Sequence, residues 1–152
     1  LCERLVGILE EYNVPTDAVH LEITDSAYMD NAGMFLNTLS GLRKAGFKVE
    51  MDDFGSGYSS LNSLKDIDID KLKLDMKFLS DTDNNRRGKI IISAVISMAE
   101  ELGLPVIAEG VETKEQAEML SDFGCNQMQG YYFSRPVSAE EYEKLLRAQA
   151  GK

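Results

Sequence analysis

Acidic side chains and one lysine recur where the predicted strands of this sequence end. Glu22 follows the first strand, Asp52 and Asp53 the second, and Glu109 the fourth, while Lys73 lies in the third. The carboxyl ends of parallel strands converge in space, so we expect these groups to meet. Clustered carboxylates either raise their pKa values or bind metal, and an all-oxygen ligand set suits Mg²⁺, Mn²⁺ or Ca²⁺. The pattern therefore predicts a divalent-metal site.

The adjacent acids Asp52 and Asp53 indicate the kind of chemistry. In a continuing strand they would point to opposite sides, but at a strand end that turns into a loop both can reach a pair of ions. Two ions about 3.5–4 Å apart suit phosphoryl chemistry, because they stabilise both the attacking and the leaving oxygen. Lys73 could orient or deprotonate a metal-bound water, or stabilise phosphate charge. An ordinary ion pair in a polar barrel interior is the alternative for this lysine.

Other polar residues extend the same edge of the predicted sheet. Asp75, Glu112 and Gln129 follow the ends of the third, fourth and fifth strands. Any one acid fits an ordinary turn, because Asp favours turns, but convergence from four successive strands favours a site. The Gly- and Ser-rich segment 55–60 has backbone donors and hydroxyls that suit a phosphate or a gating motion.

The remaining reactive side chains are assigned to the interior or to no site. His20, the only histidine, shares a strand face with Glu22 but lies one step deeper, so we interpret it as a polar interior residue. We expect the aromatic run 131–133 and the methionines in the core. Cys2 and Cys125 are far apart and lack the spacing of a zinc site or disulfide framework.

Strands and helices alternate along the chain. Strands are predicted to start near Val19, Phe47, Lys71, Val106 and Asn126, and the fourth of them is PVIAEGVE. Helices are predicted over residues 1–12, 30–45 and about 86–102. Two more helices are predicted, one from the Thr113–Gln116 capping box to Phe123 and one from Ser138 onward. This alternation predicts an α/β fold with a parallel sheet. Three strands alternate polar and apolar residues, which favours a TIM-like (β/α) barrel whose inner face is polar near its mouth.

Length and composition limit the possibilities further. The 152 residues suit a single domain, but a TIM barrel takes about 250 residues and rarely fewer than 200, so we expect an incomplete barrel that lacks its first strands. The net charge of −10 argues against a nucleic-acid polymer as partner. No apolar run approaches the roughly 20 residues of a membrane span, and no signal peptide is evident. We therefore expect a cytoplasmic location, with a membrane-tethered parent as the open alternative.

Five segments of the sequence resemble successive motifs of the EAL-domain family, the cyclic-di-GMP phosphodiesterases of bacterial signalling. In order they are LEITDS, MDDFGSGYSSL, KLKLD, VIAEGVET and GCNQMQGYYFSRP. They occur in family order and with family-like spacing across essentially the whole chain. The resemblance implies a TIM-like barrel that hydrolyses cyclic di-GMP to linear pGpG with two Mg²⁺ or Mn²⁺ ions. The resemblance implies that residues 1–152 are a single domain, which is a partial EAL domain.

The resemblance also implies roles for individual residues. Glu22 and Asp52 would hold the first metal, with Asp52 bridging to a second metal held by Asp53 and supported by Glu109. Lys73 would contact the nucleophilic water. The residues implied to line the catalytic site are Glu112, Asp75 and Gln129. The implied mobile loop runs from Phe54 to Ser60, includes Gly55, Ser56 and Gly57, and has Asp25 as its anchor.

Two departures from the family pattern affect these expectations. Asp25 replaces the second glutamate of the family motif E-x-T-E-S, and its shorter side chain weakens the expected positioning of the loop. The Glu-Ala-Leu strand that names the family and the following Asn-containing strand do not occur in the sequence, and each normally supplies a metal ligand. We therefore expect the isolated fragment to be inactive. A homodimer or a partner chain would complete the barrel, and the parent would carry diguanylate-cyclase or sensory domains.

Two alternatives stay open at this point. A non-catalytic cyclic-di-GMP sensor or protein-interaction module would bind the ligand without turnover. A phosphoacceptor receiver domain also combines an acidic pair, an aspartate and a lysine in an α/β sheet. The receiver pattern fails here on order, because Lys73 precedes Asp75 on the same strand and no Lys-Pro follows a later strand.

Overall fold

The computed structural model describes residues 1–24, 32–54, 64–76 and 86–150. The predicted sites Asp25, Gly55, Ser56 and Gly57 lie outside these residues. The elements are α1 (Cys2–Glu11), a 3₁₀ turn (Thr16–Ala18), β1 (His20–Ile23), α2 (Ala32–Lys44), β2 (Lys48–Phe54), β3 (Lys71–Asp75), α3 (Arg86–Glu101), β4 (Val106–Glu109), α4 (Lys114–Asp122), β5 (Gln127–Met128) and α5 (Ala139–Ala150). The predicted α/β class and the alternation of strands and helices are confirmed.

The five described strands form one parallel sheet in chain order, β1-β2-β3-β4-β5. Each strand pairs with the next, so every crossover moves in the same direction, as in a barrel. One face of the sheet packs against the helices through two apolar clusters, of which Met51, Leu72 and Ile92 are fully buried members. The opposite face carries the polar residues of the strands, and the site is built there.

Local sequence signals explain where several helices begin and end. The capping box that opens α4 is confirmed: Gln116 N–H donates to Thr113 Oγ1 at 3.2 Å, and Thr113 N–H donates to Gln116 Oε1 at 3.1 Å. Ser138 caps α5 in the same way with Glu141. Gly46, at φ +98°, follows α2 and turns the chain into β2, as expected for a glycine after a helix. No helix within the described residues has the length and apolar character to cross a membrane.

Two sequence predictions about the last strands are wrong. The fourth strand ends at Glu109 instead of continuing to Glu112, because Gly110 adopts a left-handed conformation at φ +72°. The aromatic run 131–133 does not lie in the core: it follows the two-residue β5, and 42–55% of each ring residue is exposed. Met34 is likewise exposed, whereas Met51 and Met76 are buried as predicted.

Candidate active site

Lys73 lies at the centre of a carboxylate cluster drawn from three strands. Its Nζ is 2.6 Å from Glu22 Oε1, 3.2 Å from Asp52 Oδ1 and 3.1 Å from Glu109 Oε1. Only 8% of the lysine side chain is exposed. Four of the residues predicted to converge at the carboxyl edge of the sheet therefore do so, and we call them the Lys73 cluster.

The charges of the Lys73 cluster do not balance, because one ammonium faces three carboxyl groups. Burial disfavours the charged form of Lys73, but its hydrogen bonds to Glu22, Glu109 and Asp52 outweigh that cost and raise its pKa above the ordinary lysine value. The pKa of Glu109 is also raised, because burial and the repulsion from Asp52 and Glu22 outweigh its contact with Lys73. The site thus keeps a surplus of negative charge.

A β-bulge on β2 accounts for the adjacent aspartates. Met51 pairs with Leu72 and Phe54 pairs with Leu74, so the two aspartates lie opposite the single residue Lys73. Asp53 has φ +51°, and its N–H donates to Asp52 Oδ1 at 2.9 Å. The bulge shifts the strand by one residue, so that Phe54 takes the core-facing position that regular alternation would give to Asp53.

The other predicted site residues differ in how they relate to the cluster. Gln129 joins it, since its Nε2 donates to Glu109 Oε1 at 2.7 Å, and Asp75 is the strand partner of Glu109. Glu112 is exposed, and its backbone N–H donates to Gln116 Oε1 as part of the cap of α4. Phe54 is the last residue of β2, and its ring is buried in the core; the rest of the predicted loop lies outside the described residues.

A second set of polar contacts on the inner face was not predicted from the sequence. Glu50 is only 7% exposed, and its Oε1 lies 2.5 Å from His20 Nδ1 and 3.4 Å from Lys71 Nζ. We call these three residues the Glu50 layer. His20 shares the strand face of Glu22 as expected, but it is not an interior residue as predicted, because 43% of its side chain is exposed. A search for polar residues two positions before each predicted site residue would have found all three, because alternate strand residues share a face.

The donor set of the Lys73 cluster fits a hard divalent cation. Its acids supply oxygen ligands only, and their negative charge exceeds that of the single lysine. Lys73 contacts one oxygen of each carboxylate, so the second oxygen of each lies outside these contacts. Within the part of the chain that the structure describes, no three acidic, histidine or cysteine side chains are arranged as a metal-binding group. The three carboxylates of the cluster each contact the Lys73 ammonium instead.

A parallel, barrel-type sheet with acids and a lysine at its carboxyl edge defines an α/β-barrel domain with an acidic active site. The family model described as "EAL domain" matches residues 1–136, and the chain belongs to this family. The EAL domain of Mycobacterium smegmatis DcpA superposes with a TM-score of 0.89 at 39% identity, covering 97% of this chain and 66% of that one. The fold is therefore that of a TIM-like barrel, of which this chain forms part.

Two further proteins are similar to this chain. The cyclic di-GMP phosphodiesterase NbdA of Pseudomonas aeruginosa is 41% identical over 148 residues, which are 97% of this chain and 19% of NbdA. A manganese and cyclic-di-GMP complex of Klebsiella pneumoniae BlrP1 superposes with a TM-score of 0.83 at 36% identity, covering 89% of this chain and 34% of that one. The chain thus spans about a fifth of the length of NbdA.

Proposed function

We propose that this chain carries the active-site strands of a metal-dependent phosphodiesterase that hydrolyses cyclic di-GMP to linear pGpG. The observation that carries the proposal is the Lys73 cluster, in which three carboxylates and one lysine meet at the carboxyl ends of four neighbouring strands. The similarity to the cyclic di-GMP phosphodiesterase NbdA and to the manganese and cyclic-di-GMP complex of BlrP1 supports the same substrate and a metal requirement.

The hydrolysis adds one water across one phosphodiester bond. The water oxygen bonds to phosphorus, the bond from phosphorus to a ribose oxygen breaks, and that oxygen leaves with a proton. The role of Lys73 in this step is to donate hydrogen bonds, because its three carboxylate partners hold it in the ammonium form. It orients the attacking water and stabilises charge on the phosphate oxygens. Of the roles considered for this lysine, deprotonation of the water has the least support.

The proposed metals are two Mg²⁺ or Mn²⁺ ions. Glu22, Asp52, Asp53 and Glu109 would hold them, since these are the oxygen donors that the bulge and the strand ends bring to one edge. When bound, the ions would supply stabilisation of the charge that develops on the phosphate and the leaving oxygen. Gln129 would fix the orientation of the Glu109 carboxylate. Asp75 and Glu112 would line the substrate side of the site.

The proposed partner is a polypeptide that completes the barrel, either a second copy or another chain. About one third of the DcpA domain lies outside the part that this chain matches, since 66% of it is covered. In the described part of the sheet, β1 and β5 each pair on one side only, and open edges favour association. We propose that turnover depends on this completion, that the domain works in the cytoplasm, and that the parent carries diguanylate-cyclase or sensory domains.

Incubation with cyclic di-GMP and Mn²⁺ tests the proposal, with pGpG followed by chromatography. The chain is measured alone and mixed with a polypeptide containing the part of the DcpA EAL domain that it does not match. Lys73→Ala is expected to abolish turnover. Lys114→Ala is the matched control, because Lys114 pairs with Glu118 on the exposed face of α4. Equal turnover by both variants would contradict the proposal, as would a folded mixture that does not bind cyclic di-GMP.

A second candidate function is a cyclic-di-GMP sensor without turnover. One observation favours it: the described acids are oriented on Lys73 and not as a metal-binding group. A sensor would bind cyclic di-GMP in the completed barrel with or without Mn²⁺ and would form no pGpG. The chromatographic assay, run beside a binding measurement, separates the two functions.

A further inference from the structure

The Glu50 layer lies directly before the Lys73 cluster on the inner face of the sheet. Its residues come from β1, β2 and β3, and each precedes a member of the cluster by two positions, which places it on the same face. Glu50 is the buried centre of this layer, with His20 and Lys71 on the same carboxylate oxygen. None of these three residues has a part in the proposed chemistry.

The strand register places Lys71 in the same row as Glu22, the acid that Lys73 binds. Glu22 is the strand partner of Glu50, and Glu50 is the strand partner of Lys71, so the three Cα atoms form one row across the sheet. Lys73 lies two residues further along β3, and it is the lysine that binds Glu22. Glu50 stands between Glu22 and Lys71 in the row and binds the Lys71 ammonium itself.

We propose that Glu50 is a positioning residue that keeps the Lys71 ammonium out of the Lys73 cluster. Without the Glu50 carboxylate, the largely buried Lys71 would have its ammonium next to Glu22, the acid in its own row. A second lysine in the cluster would cancel part of the surplus negative charge that a divalent cation requires. The effect on the metal rests on the proposed function. The position of the Lys71 ammonium rests on the ion pairs alone.

A double-mutant cycle on Mn²⁺ affinity tests the inference, with titration calorimetry of the chain mixed with the polypeptide that completes the barrel. Glu50→Gln keeps the shape of the side chain and removes its charge, and we expect it to weaken Mn²⁺ binding about tenfold or more. Lys71→Met in the native background is expected to change the affinity less than about twofold, because Lys71 is already paired. In the Glu50→Gln background, Lys71→Met is expected to restore the native affinity to within about twofold.

The cycle distinguishes positioning from the general electrostatics of two charges near a metal. If charge alone mattered, Lys71→Met would tighten Mn²⁺ binding by the same factor in both backgrounds, and this additivity would overturn the inference. An unchanged affinity in Glu50→Gln would overturn it as well. If Glu50→Gln does not fold, Glu50→Asp replaces it: the shorter carboxylate keeps the charge but reaches Lys71 less well, so a partial loss of affinity is expected.

A second measurement needs no metal. Acetylation of lysine amines with a limiting reagent, quantified by mass spectrometry, is expected to label Lys71 several-fold more in Glu50→Gln than in the native chain. Lys48, whose side chain is 47% exposed, serves as the internal reference. Equal labelling of Lys71 in both proteins would overturn the inference. A folded mixture of the native chain with the completing polypeptide that binds no Mn²⁺ would overturn the metal part of the proposed function, and the labelling would then decide the role of Glu50 alone.

Discussion

Replacement of Lys73 by Met is expected to destabilise the fold, because it removes the ammonium and keeps most of the side-chain volume. Three carboxyl groups would then face one another around an apolar side chain. Removing one partner of a buried ion pair costs about 3–5 kcal/mol. Glu22 is 52% exposed and its share is screened by solvent, whereas Asp52 and Glu109 are 22% and 19% exposed. We therefore expect a loss of about 3 kcal/mol in the free energy of unfolding at pH 7.

The pH dependence of this loss follows from the charges. The folded pKa of Lys73 is above its unfolded value of about 10.5, so its contribution is fully present at neutral pH and disappears only as the pH rises through the folded value. Glu109, whose pKa is raised by burial, becomes protonated in acid, so the ammonium then loses one of its charged partners. The difference between Lys73→Met and the native chain is thus expected to shrink once the pH falls below the ordinary Glu109 value of 4.5.

Urea unfolding followed by circular dichroism measures this loss directly. Lys114→Met is the matched control, because Lys114 and Glu118 form an exposed pair on α4. That change is expected to cost less than about 0.5 kcal/mol. A Lys73→Met protein as stable as the native chain at pH 7 would refute the assignment of Lys73 as the charge that stabilises the cluster. So would a loss that is equally large at pH 3.

Three other substitutions give predictions that the same unfolding assay checks. Asp70→Asn is expected to lower the free energy of unfolding by about 2 kcal/mol at pH 7. Burial opposes the charge of Asp70, but hydrogen bonds from Val49 N–H, Lys48 and Arg43 lower its pKa. The loss should therefore vanish as the pH falls below the ordinary Asp70 value of 3.8. Glu109→Gln is expected to stabilise the chain at pH 7, because burial raises the pKa of Glu109 and makes its charged form costly. This gain in stability should disappear as the pH falls below the ordinary glutamate pKa of 4.5, and an equal gain in acid would contradict the prediction. Gly130→Ala is expected to prevent folding, since a Cβ there would collide with the Val111 backbone. Gly41→Ala is the control: it has open space in α2 and should raise the free energy of unfolding by about 0.5–1 kcal/mol. Two soluble variants of equal stability would contradict this.

The fold and the main site residues could be predicted because their signals are local or periodic. Strand and helix periodicity, together with the capping residues, gave the order of the elements, and the polar ends of four strands indicated which side chains meet. The convergence of the strand ends predicts that Lys73 lies among the acids, and in the structure its Nζ contacts Glu22, Asp52 and Glu109. The family resemblance is likewise confirmed by the match over residues 1–136.

The features that could not be predicted depend on contacts between distant segments. Periodicity cannot assign the aromatic run 131–133 to the core or to the surface, because burial depends on what packs against the end of the sheet. Strand alternation places Glu50 on the same face as Asp52, but it does not show that this acid is buried. Its burial follows from the pairing of β2 between β1 and β3, where His20 and Lys71 supply the partners that a buried carboxylate requires.

The bulge on β2 explains why a strand, and not only a loop, can present two adjacent acids to one site. In a regular strand, Asp53 would replace Phe54 on the core-facing side, and its charge would lie among Val49, Met51 and the helices. The extra residue removes this conflict, because Asp52 and Asp53 share the place opposite Lys73 while Phe54 fills the core. The left-handed conformation of Asp53 is the local cost of this arrangement, and the burial of Phe54 offsets it. The apolar residue that follows the two aspartates is therefore part of what positions the acids.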